Sequence, residues 1–332
     1  MRVSVCINTF HRPADLRRLL GDLAAQGGPP GIAEVVVTDN DAAGSARATV
    51  EALMAQVPFA LVYQIEPEQS ISLTRNRGVH RASGDWIGFL DDDERVAPDW
   101  LALMAAQAQR SQADGVFSGV INTFPPDAPA WLPAGGIHEH ARLASGTEVP
   151  PTQLFSGNVL IRKATLMLRE GPFDPRFGLS GGEDADLFNA LRLRGARFVW
   201  NAEAYAHEVL PAERLTQAWF LKRRRRGAQD YALQVLNGVH GRVTALTRLK
   251  LWGDTLIKLM LAVAGWALVS ALRRHPAVRF DWRRKIEAQR GKLDTLRDEA
   301  GVAAEGHLKL PPKDTSALVK KAEAQEKLEE DG

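Results

Sequence analysis

Four consecutive acids, Asp91, Asp92, Asp93 and Glu94, follow directly on the apolar run 86–90 without an intervening turn residue. Carboxylates this close repel one another, and a hard divalent cation, Mg²⁺ or Mn²⁺ bound together with phosphate oxygens, relieves the repulsion. The same acids would also suit the positive end of a helix beginning near Pro98. Two further acidic points stand apart from this cluster. Asp39 closes the β-branched run VVVTD, and Glu183 and Asp184 follow a Gly-Gly pair in SGGEDADLF. The glycines permit close backbone approach, so these acids could meet a ligand or simply cap the helix expected over 184–194. The cations that could face them are Arg75 and Arg77 in SLTRNRG and the basic run LKRRRRG at 221–227, with His207 in AYAHE.

The elements that must position these residues alternate. Apolar runs at 3–7, 34–38, 59–65 and 86–90 read as buried strands, and helical spacing or composition places helices over 12–25, 45–56, 70–82 and 98–110. Such βα alternation predicts an α/β fold with a mostly parallel sheet and helices on both faces, its ligand cleft at the carboxyl ends of the strands. That topology would bring Asp39, the 91–93 acids and the 183–184 pair to one rim. Further strands are expected at 115–122, 155–161 and 198–200, the last followed by a separate segment at 204–208 carrying His207. The Pro-, Gly- and His-rich stretch 124–151 reads as long surface loops.

The chain has 332 residues, 45% hydrophobic and 25% charged, with a net charge of +2. This is an ordinary globular composition with no overall charge argument for nucleic acid. Cys6, the single cysteine, cannot form an internal disulfide and falls in a buried strand, which fits a reducing compartment. The N-terminus enters a strand directly, without the apolar segment of a signal peptide, so a cytoplasmic location is expected. From 215 onward the character becomes helical and basic. The expected division is 1–235 as the catalytic domain, 236–290 as a basic and apolar helical segment, and 291–332 as a charged tail, helical or disordered. The uncharged run 259–272 is about fourteen residues long, short of the roughly twenty that span a bilayer. Trp266 and the flanking Arg248, Lys250, Arg273 and Arg274 suit a helix lying on an anionic membrane. The competing reading buries it against protein.

The segments VSVCINTFHRP, VVVTDND, SLTRNRG, WIGFLDDDE and GGEDADLF occur in an order and spacing that resemble the family 2 glycosyltransferases, over roughly residues 3–231. These are GT-A-fold enzymes that move a sugar from a nucleotide diphosphate to an acceptor hydroxyl. SGGEDADLF, AYAHE and the Arg-rich segment look closest to bacterial exopolysaccharide glucosyltransferases of the succinoglycan type. The resemblance implies roles for individual residues. Asp39 would accept from the uracil N–H of a UDP-sugar, with Thr9 and the backbone near Asn8 lining the base pocket. Arg75 would face the nucleotide phosphates, beside Asn76 as a loop brace and Arg77 as a surface charge. Asp91 and Asp93 match the outer acids of an Asp-X-Asp motif that holds Mn²⁺ or Mg²⁺, Asp93 most directly, while Asp92 would face the ribose or solvent. His207 would complete the metal shell, unless it is structural, and Arg223 and Arg226 would close over the diphosphate or face anionic lipid.

In this resemblance Asp184 is the base that deprotonates the acceptor, assisted by Glu183, which implies a single inverting displacement. The Gln-X-X-Arg-Trp signature of processive members is absent, so one sugar is expected per acceptor visit. The expected function is transfer of a hexose such as glucose from a UDP-sugar to a saccharide, a lipid-linked oligosaccharide at the inner face of the cell membrane. The alternatives are a nucleotidyltransferase that makes nucleotide sugars, or a non-catalytic sugar-binding protein of the same fold. INTFHRP offers no Gly-rich triphosphate loop for the former.

Overall fold

A computed structural model describes residues 1–124, 129, 131–132, 143–179 and 181–305, with 212 and 299–305 as backbone only. Most of the expected loop 124–151 and all of the tail beyond 305 lie outside the described residues. Two compact units are present. The described residues of the first fall within Met1–Ile121 and Glu139–Glu208, and those of the second within Asn122–His138 and Val209–Lys313.

The first unit is built on an eight-stranded sheet in the order β3-β2-β1-β4-β7-β6-β8-β5. β1 (Val3–Thr9), β2 (Ile32–Asp39), β3 (Ala60–Ile65) and β4 (Trp86–Asp91) are mutually parallel, joined by α1 (Pro13–Ala24), α2 (Arg47–Leu53) and α3 (Ile71–Arg81). β5 (Glu94–Val96), α4 (Trp100–Ser111), β6 (Gly115–Thr123), β7 (Val159–Arg162), α5 (Lys163–Leu166), α6 (Glu183–Leu193) and β8 (Phe198–Val209) follow. The β4–β7, β6–β7 and β5–β8 pairs are antiparallel, so the sheet is mixed. Side-chain alternation divides the core. Val3, Val5 and Ile7 join Leu16, Leu19 and Leu20 of α1 in one buried cluster, whereas Cys6 joins Val36, Ile87 and Phe89 in the other. Burial pushes the Cys6 thiol up to about 12, the state of a core residue and not of a nucleophile.

Three local expectations are corrected. The 198–200 strand and the 204–208 segment are one strand of 12 residues. Asn201, a turn former by type, instead donates to the Leu103 carbonyl and accepts from the backbone N–H groups of Glu203 and Ala204. Glu94 does not lead into a helix but starts β5, because β8 runs far enough to pair Glu94 with Glu208 and Arg95 with His207. The 155–161 run is strand only from Val159, since Asn158 adopts a left-handed φ of 61° and makes 155–158 a turn.

The second unit holds α7 (Gln217–Leu236), α8 (Ala245–Ala271) and α9 (Pro276–Glu305). Leu210, Leu215, Phe220 and Phe280 form one buried cluster, and Ala232, Leu236, Leu251 and Leu296 another. α8 starts at a capping box in which Thr244 and Thr247 exchange side-chain to backbone hydrogen bonds. The apolar run 259–272 is therefore the second half of a helix of 27 residues, and the length read from the uncharged run alone is corrected. α8 is long and apolar enough to cross a membrane by length and composition. A Cβ at Gly265 would lie 2.5 Å from the Trp282 ring, so α8 and α9 approach closely there.

Candidate active site

Parallel register sets the rim of the site. Thr9 lies opposite Asp39 across β1–β2, and Asn8 opposite Asp91 across β1–β4, so the carboxyl ends of the three strands are level. Beyond them the acids diverge in environment. Asp92 is buried, accepting from the Thr9 hydroxyl at 2.8 Å and from Arg12 Nη1 at 2.9 Å. It does not face solvent, which corrects that half of the expectation for this residue. Burial pushes its carboxyl up to about 6, against the pull of Arg12 and the Thr9 hydrogen bond. The same Arg12 Nη1 donates to Asp93 at 2.6 Å. Arg12 thus spans both acids, a role that sequence reasoning missed. The only signal for it was a cation in HRP just after β1, about eighty residues from the acids it meets.

Asp39 is fully buried at the end of β2. One of its oxygens accepts from the Asp41 backbone N–H at 3.1 Å, and the other from Ala46 N–H and the Tyr63 hydroxyl, both at 2.8 Å. An ionised carboxylate has about four acceptor positions, so the β2–α2 loop and Tyr63 of β3 together occupy most but not all of its capacity.

Arg75 draws the second and third acidic points together. It is buried on α3, donates to Glu183 Oε1, lies 3.6 Å from Asp91 Oδ1 and sits over the Phe173 ring. Its partners here are carboxylates of the protein. Asn76 beside it exchanges two hydrogen bonds with the Phe173 backbone, the bracing expected of it, and Arg77 pairs with Glu66 at the surface. Glu183 opens α6 after Gly181 and Gly182, both at positive φ. Burial pushes its carboxyl up to about 7, with Arg75 pulling down and Asp184 pushing up, and its Oε2 is buried without a hydrogen-bond partner among the described residues. Asp184 is half-buried. Its Oδ1 accepts from Ala185 N–H at 2.7 Å, and its Oδ2 accepts from the backbone N–H and hydroxyl of Ser156 at 3.1 and 3.3 Å.

Glu94 is buried against Asp91, whose backbone N–H it accepts at 3.2 Å. Burial first, then the charge of Asp91, pushes its carboxyl well above the usual range. Asp91 itself is half exposed and near Arg75. His207 is exposed on β8 opposite Arg95. Among the described residues, no group of three or more His, Cys, Asp or Glu side chains is placed to hold a metal ion, so Asp91, Asp93 and His207 do not form the expected three-ligand set. The physical reason lies in their partners: Asp93 is committed to Arg12, and His207 follows the β5–β8 ladder. Mg²⁺ and Mn²⁺ sites on phosphate substrates commonly use one or two carboxylates completed by phosphate oxygens, and the accessible Asp91 fits that pattern. Arg223 and Arg226 lie on α7 in the second unit, Arg223 over the Trp219 ring at 5.4 Å.

The arrangement can be set beside known proteins. The sequence profile of Glycosyl transferase family 2 matches residues 4–166. Succinoglycan biosynthesis protein ExoM of Rhizobium meliloti (strain 1021) is 34% identical over 242 residues, 73% of this chain and 77% of that protein. Validoxylamine A glucosyltransferase of Streptomyces hygroscopicus subsp. limoneus is 28% identical over 243 residues, 65% of this chain and 53% of the relative. The chain therefore spans about half of that second protein. Among solved structures, S. aureus TarS 1–349 in complex with UDP-GlcNAc gives a TM-score of 0.56 at 17% identity, covering 93% of each chain. Mannosyltransferase PcManGT from Pyrobaculum calidifontis, in complex with GDP-Man and Mn²⁺, gives 0.55 at 17% identity, covering 98% of this chain and 80% of that one. At these identities the structural likeness establishes the GT-A fold.

Proposed function

The chain belongs to glycosyl transferase family 2, and on that premise we propose that it moves a hexose, glucose in the first instance, from a UDP-sugar to a saccharide hydroxyl with inversion. The observation that carries this reading is Arg75, buried between Asp91 and Glu183, which joins the acids at the end of β4 to the pair that opens α6. Donor-side and acceptor-side carboxylates thereby share one cation. The Asp184 carboxylate takes the proton of the acceptor hydroxyl, whose oxygen forms the new bond to the anomeric carbon as the bond to the diphosphate oxygen breaks and UDP leaves. Glu183, whose Oε2 has no hydrogen-bond partner among the described residues, orients the acceptor. Asp39 offers its remaining acceptor position to the uracil N–H, beside Thr9, and Asp92 braces Thr9 and Arg12 beneath the nucleotide. Asp91, with Asp93 when Arg12 releases it, would hold a divalent cation, which would supply neutralisation of the charge on the leaving diphosphate. Arg223 and Arg226, on the second unit, are assigned to anionic lipid.

The names of the relatives support the substrate class: one acts in succinoglycan biosynthesis and one is a glucosyltransferase. The acceptor we assign is a lipid-linked oligosaccharide, reached by peripheral contact of α8 with the inner face of the cell membrane. The test is turnover of a panel of nucleotide sugars with Mn²⁺ or Mg²⁺. UDP-sugars should be consumed in preference to GDP-sugars, and Asp184→Asn should lower kcat by roughly 10²-fold or more while donor affinity stays within a few-fold. Full turnover in Asp184→Asn removes Asp184 as the base.

A further inference from the structure

The turn at 155–158 touches both halves of the site through successive residues. Ser156, itself buried, gives two hydrogen bonds to Asp184 Oδ2, from its backbone N–H at 3.1 Å and its hydroxyl at 3.3 Å. At Gly157 an added Cβ would stand 2.7 Å from Glu94 Oε1 and 3.6 Å from Asp91 Oδ2, so the backbone runs against the acids that end β4. Asn158, fully buried, donates to the carbonyls of Gly119 and Ala204 at 2.9 and 2.8 Å and accepts from Trp100 Nε1 at 2.7 Å. The side chain of Asn158 thus fixes the turn to β6, β8 and α4, and the fixed turn presents Ser156 to Asp184.

The Asp184 carboxylate is therefore held at both ends. Its own helix holds Oδ1 through Ala185 N–H, and Ser156 holds Oδ2. A carboxylate gripped only at one oxygen swings about its terminal torsion, which is broad and soft for Asp. A second anchor on the other oxygen removes that freedom, and general-base transfer depends on the carboxylate being aimed at the acceptor proton.

We propose that Ser156 is a positioning residue for glycosyl transfer, its hydroxyl fixing the plane of the Asp184 carboxylate while the 155–158 turn sets the separation of that carboxylate from Asp91. The proposal rests on the reading of Asp184 as the base. It makes Ser156 a determinant of kcat and not of donor binding, because its side-chain contact is to Asp184.

The experiment compares Ser156→Ala, Ser156→Cys and Ser156→Thr in the full-length chain, measuring kcat, donor KM, UDP affinity by calorimetry and melting temperature. Ser156→Cys conserves side-chain volume but is a weak donor, so it separates loss of the hydrogen bond from loss of packing. The expected result is a kcat lowered roughly 5- to 20-fold in Ala and Cys, with donor KM and UDP affinity within about twofold and recovery of kcat to within about threefold in Thr. The proposal is overturned if kcat in Ser156→Cys matches wild type, or if the loss in Ala and Cys appears in KM and UDP affinity to the same degree. It is equally overturned if Ser156→Thr, melting as wild type does, recovers nothing. Asp184→Asn in the same assay keeps the two readings apart. If it is inactive while Ser156→Cys is normal, only the role of Ser156 fails; if it is fully active, the base assignment fails first.

Discussion

Arg75 is enclosed by Glu183, Asp91 and Phe173, and removing its guanidinium strands two carboxylates in or beside the interior. Breaking a buried pair by deleting one partner costs about 3–5 kcal/mol, so Arg75→Ala should lower the melting temperature by many degrees, and Arg75→Lys, which cannot reach two acids in a fork, should restore only part of it. Arg12 carries a second prediction. Because it occupies Asp92 and Asp93, Arg12→Ala should tighten binding of Mn²⁺ alone, read by calorimetry without nucleotide; weaker Mn²⁺ binding would contradict Arg12 as the competing cation. The raised carboxyls also fix a pH dependence. Burial takes Glu183 up to about 7 from 4.5 and Asp92 up to about 6 from 3.8, so the folded state binds more protons than the unfolded chain between those values. Their contribution to stability is full below the ordinary values and is lost as pH rises through about 6 and 7. The melting temperature should therefore decline between about pH 4 and 7, and Glu183→Gln should flatten the decline. At this scale the acids themselves were legible, since carboxylates at strand ends are conspicuous in any reading of 39, 91–93 and 183–184. Their partners were not, because Arg12 and Ser156 meet them only across the fold.

The parallel half of the sheet was readable because β1 and β2 are short β-branched runs and β4 a short apolar one, separated by helical spacing, and each is wrapped by helices that its own neighbours supply. The antiparallel half was harder. β5 is three residues long and exists only because β8 arrives from more than a hundred positions away, a non-local pairing that overrides local propensity. The turn at 155–158 was hidden in an apolar run whose backbone conformation only Asn158 betrays. The glycine within that turn gives a test at this level. Gly157→Ala drives a Cβ to 2.7 Å from the buried Glu94 carboxyl, and overpacking of this kind costs about 1–3 kcal/mol. The variant should melt earlier and transfer more slowly, with Gly157→Ser no better; a melting temperature equal to wild type would mean that Glu94 has room to move.

Across the whole molecule, the helical second unit is where composition misjudged extent, since counting uncharged residues stopped at 259 while the helix continues back through Lys258, Asp254 and Lys250 to its Thr244 cap. Leu256, Ile257, Met260, Leu261 and Leu268 are all exposed on α8, and Arg273 and Arg274 follow its end. Met260→Glu with Leu261→Glu should release the protein from anionic vesicles in flotation while leaving transfer to a water-soluble acceptor within about twofold of wild type, because burial of two large apolar side chains in lipid is worth several kcal/mol. Retention of this double variant on vesicles would exclude this face as the anchor. Trp282 lies on Gly265 with no space for even a methyl group between α8 and α9. An indole wedged against bare backbone works as a key in a slot: α8 cannot roll about its long axis without lifting the ring. The azimuth at which the helix shows its oily side is thereby dictated by one glycine, and the emission of Trp282 should shift wherever Gly265→Ala lets the helix turn.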